Sequence, residues 1–161
     1  MSKINLKSII LNIVIISTIF LIDRISKNYI LKIAEIENSV DIYINTYLNF
    51  YLIWNKGIAF GLFSFDEKLI YNLITILIAT ISFIILILIT KTKRIERYSF
   101  TIVFGGAISN LYDRLYYKSV PDFIDFHIAE YHWFVFNVAD IFITFGIISI
   151  ILMELFKKKL K

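Results

Sequence analysis

Between Lys68 and Lys91 the chain has 22 consecutive uncharged residues, "LIYNLITILIATISFIILILIT". As a helix rising about 1.5 Å per residue, this run crosses a hydrocarbon layer of roughly 30 Å. Nothing else in the sequence limits the fold so strongly. Hydrophobic residues make up 58% of the 161, with one Pro and five Gly, which is more apolar surface than a small soluble core buries. The expected solvent is therefore the membrane.

Three shorter apolar runs cover residues 8–22, 98–112 and 134–153. Each alone is also consistent with a buried core helix, and the flanking charges decide. Lys3 and Lys7 precede the first run. Lys91, Lys93, Arg94 and Arg97 lie between the second and third, and Lys157, Lys158, Lys159 and Lys161 follow the fourth. The positive-inside rule then gives four spans with both termini cytoplasmic. The formal net charge of +4 collects beside apolar runs and forms no basic stripe, so nucleic acid is not an expected partner. The N-terminal stretch resembles a secretory signal, but "IDRISK" stands where a small-residue cleavage site belongs, and it is read as a retained first helix. With no Cys, disulfides, thiol catalysis and Cys-ligated metals are excluded.

The expected organisation is one integral membrane domain, 1–161, with spans at about 8–24, 69–90, 98–112 and 134–156 and outer segments at about 28–67 and 113–133. In the first outer segment "VDIYINTYLNFYLIWN" alternates and reads as one or two strands, followed by a Gly-containing turn at "NKGIAFG". The second reads as a loop in which Pro121 makes the chain extended or turning just before Asp122. The fold class is all-α membrane protein: four transmembrane helices, a small outer sheet and a second outer loop.

On this topology Asp23, Asn55, Asn110, Asp113, Asp122, Asn137 and Asp140 all fall near the outer boundary. Asn110/Asp113 and Asn137/Asp140 form two Asn-x-x-Asp helix faces. Taken singly, such residues cap helix ends or bond to one another; converging from five stretches, they point to a shared site. Carboxylates are the main reactive groups available. Two aspartates hydrolyse an amide without metal or covalent intermediate when one takes a proton from water and the other donates to the carbonyl. His127 lies close to Asp122 and Asp125, yet no HExxH or comparable helical ligand pair is present, so no metal and no cofactor is expected. His127 and His132 read as interfacial or loop residues.

The blocks "DRISK" (23–27), "NKGIAFG" (55–61), "GGAISNLYDR" (105–114), "VPDFIDF" (120–126) and "FNVAD" (136–140) resemble, in order, those of the lipoprotein signal peptidase (signal peptidase II) family. The resemblance implies an aspartic endopeptidase of the bacterial inner membrane. It would remove signal peptides from diacylglyceryl-modified prolipoproteins just before the lipidated Cys, with its site at the outer face. It also implies Asp122 and Asp140 as the catalytic pair and no catalytic role for Asp125. Asp23, Lys27, Asn55, Gly57, Asn110, Asp113, Arg114, Asn137 and Ala139 would support the site, Asp113 and Arg114 by orientation or as an ion pair. Membrane lipid and prolipoproteins are the implied partners of a monomer. Three positions depart from the pattern: Ser109 for the usual Gly, Ser26 for Thr and Pro121 for Val. The first bears on how closely helices approach.

Two other classes compete. A small transporter would carry carboxylates near the bilayer midplane, often with inverted repeats, and here they lie at one face without a repeat. A non-catalytic membrane adaptor would explain the aromatic outer segments but gives the two Asn-x-x-Asp faces nothing to do.

Overall fold

The computed structural model describes residues 5–57 and 67–159. Among the described residues four helices and four strands follow one another as α1 (Leu6–Glu37), β1 (Asp41–Asn45), β2 (Leu48–Asn55), α2 (Glu67–Lys91), α3 (Arg94–Tyr117), β3 (Val120–Ile128), β4 (Tyr131–His132) and α4 (Val138–Lys159). The protein is a mostly helical membrane protein with one small antiparallel sheet. By length and composition α1, α2 and α4 are each able to cross a membrane. Their exposed faces carry large apolar side chains such as Leu73, Ile76, Phe83, Phe145 and Ile151, as expected of surfaces turned to lipid. Less apolar, α3 packs against all three other helices. That position shelters Ser99, Thr101, Ser109, Asp113 and Arg114 among protein rather than lipid.

Helix ends show why the chain turns where it does. Asn5 caps α1 by accepting the Ser8 N–H (2.8 Å), and Asn38 ends it in the left-handed conformation, φ 59°. Between α2 and α3 only Thr92 and Lys93 intervene. Arg97 folds back so that its Nε and guanidinium nitrogen donate to the Thr92 carbonyl at 3.0 and 2.8 Å, satisfying the end of α2.

Two sequence expectations change here. Instead of ending near residue 24, α1 runs to Glu37, because no breaker occurs before Asn38 and Ile30, Ile33 and Ala34 have a sheet to pack against. At about 1.5 Å per residue its 32 residues exceed a bilayer core, so its last turns stand beyond it. The second outer segment is not a loop. After Lys118, also left-handed at φ 60°, it supplies β3, the strand that pairs with both β2 and β4. Periodicity missed this strand because it is buried on both faces over Val120–Phe123 and shows no alternation there. The rest of the expected Gly-containing turn, 58–61, lies outside the described residues.

The sheet, in order β1-β2-β3-β4, closes one end of the bundle. Phe123 and Val40 pack with Ile30 of α1, and Phe50 meets Phe123 edge-on at 5.8 Å. Around it Tyr43, Tyr47, Tyr51, Trp54 and Trp133 are exposed, the residue types that favour a membrane interface. At the opposite end Ile85, Ile89 and Val103 form a second cluster with Ile143 and Ile150.

Glycine sets the closeness of α3 and α4. A Cβ on Gly106 would lie 2.6 Å from the Ala139 carbonyl oxygen, and one on Gly146 would lie 2.5 Å from Val103 Cγ2 and 2.9 Å from the Ser99 carbonyl oxygen. Gly146→Ala forces the helices apart far from the polar cluster. It is expected to cost roughly 1–3 kcal/mol, read as a lower unfolding temperature in detergent. Unchanged stability would mean that this contact is loose.

Candidate active site

Asp122 lies in β3, where the bulged pairing with β2 sets it opposite Ile53. Asn137 donates its side-chain N–H to Asp122 Oδ1 (2.6 Å) and Asn55 donates to Oδ2 (2.8 Å). Asp140 lies in the first turn of α4. It accepts Asn110 Nδ2–H at Oδ1 (2.8 Å) and the Asn137 backbone N–H at Oδ2 (3.0 Å), while its own N–H donates to Asn137 Oδ1 (3.2 Å). The reciprocal pair at 137 and 140 is a capping box built from Asn and Asp. The helix start that satisfies its own N–H groups therefore also places a carboxylate there. Asn137 touches both aspartates.

All three asparagines are oriented alike. Asn137 Oδ1 takes the Asp140 N–H, Asn55 Oδ1 takes the Gly57 N–H (2.6 Å), and Asn110 Oδ1 takes Lys27 Nζ–H (2.9 Å). With each amide oxygen occupied by a donor, each amide nitrogen is left to serve an aspartate. Gly57 belongs here because its φ of +85° suits glycine and because a Cβ would meet the Arg114 guanidinium at 3.0 Å.

A second layer lies behind. Lys27, with no solvent exposure, gives its ammonium to Asp23 Oδ2 (2.7 Å), Asp113 Oδ2 (2.7 Å) and Asn110 Oδ1 (2.9 Å). Arg24 contacts Asp113 Oδ1 at 2.6 Å and Asp23 Oδ2 at 3.3 Å and lies over the Tyr112 ring. Asp23 Oδ1 accepts the Ala139 backbone N–H at 2.9 Å, so a carboxylate of α1 holds the N-terminus of α4.

The nominated residues thus converge, with different duties. Asp113 pairs with Arg24 and Lys27, whereas Arg114 reaches the Lys56 carbonyl at 3.4 Å and its own carbonyl accepts the Tyr71 hydroxyl. The two Asn-x-x-Asp faces are accordingly not equivalent. Asp125 faces away from the pair, with His132 Nδ1 3.0 Å from its Oδ2. Ser109 does not hold the helices apart, because its hydroxyl is buried and donates to Asp23 Oδ2 at 2.6 Å. Sequence reading missed Arg24 as a member of the cluster, although it directly follows Asp23 and lies one turn before Lys27 on the polar end of an apolar helix.

Beside Asp140 runs an apolar groove of about 380 Å³ along α4, lined by Trp133, Phe136, Ile141, Thr144, Phe145 and Ile148. Two carboxylates held by aligned amide donors beside an apolar groove suit acid-base chemistry.

The sequence profile described as Signal peptidase (SPase) II matches residues 15–156. The chain belongs to the signal peptidase II family. It is 60% identical over 156 residues to the lipoprotein signal peptidase of Pelagibacter ubique (strain HTCC1062), covering 97% of this chain and 94% of that one. With that of Anaplasma phagocytophilum (strain HZ) it shares 38% over 153 residues, 92% and 94% of the two chains. Two solved structures, each described as a bacterial membrane enzyme determined by the in meso method, share the fold. The 2.3 Å structure gives a TM-score of 0.71 at 26% identity, covering 93% of this chain and 90% of that one. For the 1.9 Å structure the values are 0.70 and 28%, covering 89% and 92%.

In this signal peptidase II chain, burial pushes Asp122 up from 3.8 to about 6, against the two asparagine hydrogen bonds that favour its ionised form and with the Asp140 carboxylate adding to the rise. Between about pH 4 and pH 6 the folded chain therefore holds a proton that the unfolded chain has released, so the stability due to Asp122 falls as pH rises through that window and is level above it. The expected difference in unfolding free energy, wild type minus Asp122→Asn, drops by roughly 2 kcal/mol from pH 4 to pH 7. Denaturant titration in detergent reads it, and a flat or rising difference refutes the assignment. Ser109→Ala, which strips a donor from buried Asp23, is expected to cost roughly 1–3 kcal/mol in the same assay.

Proposed function

We propose that this chain is an aspartic endopeptidase that cleaves diacylglyceryl-modified prolipoproteins just before the lipidated Cys, with Asp122 and Asp140 as the catalytic pair. The observation that carries this reading is Asn137, whose side chain and backbone each donate to a different aspartate. It holds the two carboxylates as one unit sharing a proton. Asp140 takes a proton from water, Asp122 gives one to the scissile carbonyl, and the roles reverse as the amine leaves. Asn55, Asn110 and Asn137 keep the acceptor lone pairs of both carboxylates directed. Asp23, Lys27, Asp113 and Ala139 position α4, while Gly57 and Arg114 position the turn that carries Asn55.

Residues 1–161 act as one membrane-embedded domain and as a monomer; among the described residues one chain supplies both aspartates and the three asparagines that hold them. The Lys and Arg clusters at residues 91–97 and 157–161 support cytoplasmic termini in a bacterial inner membrane, with the sheet and the pair at the outer face. A lipid-anchored peptide then presents its scissile bond at the surface, with its apolar signal helix along the α4 groove.

Asp122→Asn and Asp140→Asn are each expected to lower cleavage of a diacylglyceryl prolipoprotein by roughly 10²- to 10⁴-fold, and the double variant to be scarcely worse. Glu130→Gln, an exposed carboxylate in the β3–β4 turn, is expected to retain activity. Appreciable turnover by Asp140→Asn would show that the wrong carboxylates have been paired.

The profile of kcat/KM against pH should be bell-shaped. Its descending limb begins near pH 6, where Asp122 releases its proton, and belongs to the pair as a unit. A rate that climbs steadily to alkaline pH would contradict a shared proton. Topology is read separately by labelling single Cys substitutions from outside intact cells: position 45 should react and position 94 should not, and the reverse pattern inverts the orientation.

A further inference from the structure

The chain has only two His and no Cys, and both imidazoles meet at one place away from the catalytic pair. His127 of β3 and His132 of β4 are cross-strand partners with rings stacked 4.8 Å apart. Asp125, buried two residues before His127 on the same strand face, completes the group. Its Oδ2 lies 3.0 Å from His132 Nδ1 and 3.6 Å from His127 Nδ1, and one ligand atom from each residue falls within 4.8 Å of the others. Donor atoms sharing an ion at bond lengths of about 2.0–2.2 Å stand about 3.0–3.5 Å apart, so these separations need little adjustment.

Two buried polar atoms point to a missing ligand. His127 Nδ1 is shielded from solvent and makes no hydrogen bond, 3.6 Å being too long for one. Asn49, the cross-strand neighbour of Asp125, leaves Oδ1 buried without a partner. A cavity of about 420 Å³ reaches Asn49, Asp125 and His132 together, and His132 is half exposed at its mouth. Buried polar atoms in native folds are nearly always satisfied, so two orphans beside a carboxylate–imidazole pair require an explanation.

We propose that Asp125, His127 and His132 bind one divalent transition-metal ion of the zinc type, separate from the Asp122/Asp140 pair. Imidazole with carboxylate selects this class over Mg²⁺ or Ca²⁺, which prefer all-oxygen shells. The fourth position is left to water, for which Asn49 Oδ1 is the acceptor. Such an ion clips β4 to β3. The chain continues from β4 into Trp133–Phe136, which is bonded to β3 through Trp133 N–H to the Phe126 carbonyl (2.9 Å) and Phe136 N–H to the Ile124 carbonyl (3.1 Å), and then reaches Asn137. The ion therefore braces the strap leading into α4 without touching the catalytic carboxylates.

Equilibrium dialysis of the full-length, tag-free, chelator-stripped protein in detergent against Zn²⁺, with metal counted by mass spectrometry, tests the site. One equivalent per chain is expected, with the unfolding temperature raised by Zn²⁺. His127→Ala and Asp125→Asn should weaken binding by roughly 100-fold or more, since even second-layer changes at metal sites cost 10–100-fold. His132→Gln alters a half-exposed side chain, leaves the core intact, and should do the same while unfolding normally without metal. The Asp122→Asn/Asp140→Asn variant should bind Zn²⁺ like wild type. No saturable binding, binding unaffected by His132→Gln, or binding lost only in the Asp122/Asp140 variant would each overturn the proposal, the last by moving the ion to the catalytic pair.

Discussion

A lysine ammonium without solvent contact is the constraint on which the polar half of this protein depends. Burying the Lys27 charge is costly unless every donor is met, and its three N–H groups find Asp23 from its own helix and Asn110 and Asp113 from α3. One further charge, Arg24, meets the second oxygen of Asp113 and closes the group so that two cations face two carboxylates. The arrangement locks α1 to α3 at one height. Removing any one partner would strand a buried charge, which makes the register of the two helices close to all-or-none.

From that lock the geometry passes to α4. Asp23 uses its remaining oxygen for the Ala139 N–H, one of the orphan donors of a helix start, and the same start is closed by the reciprocal bonds of Asn137 and Asp140. A helix N-terminus attracts negative charge, so two carboxylates at this one suit both the cap and the charge balance. Structural need and proposed chemistry thus fall on the same residues. Of the two aspartates, Asp122 arrives from outside the bundle, on a strand fixed by β2, by the Phe136 bridge and by the apolar contact of Phe123 with α1.

Ser109 illustrates how local chemistry is absorbed. A hydroxymethyl group at Ser109 needs space between packed helices, and the space is taken up by a short bond to Asp23, adding a donor to a carboxylate that already serves three others. Close approach of α3 and α4 rests instead on Gly106 and Gly146, one turn before Ser109 and deeper along α4.

Read alone, the sequence determined the solvent and which polar residues gather. An uncharged run of membrane length points to lipid, and Asn and Asp beside such runs are costly unless they meet one another, as they do here. It also pointed to one or two strands within 40–55 from their apolar–polar alternation, and the structure forms two there, Asp41–Asn45 and Leu48–Asn55. Tertiary structure decided what has no local period: β3, buried on both faces over its first residues, and the last turns of α1, whose Ile30, Ile33 and Ala34 pack against the sheet. It decided as well which Asn serves which Asp, and that Asp113 turns to Arg24 and Lys27. Those side-chain choices are made between residues 15 to 89 positions apart, where spacing along the chain carries no information about direction in space.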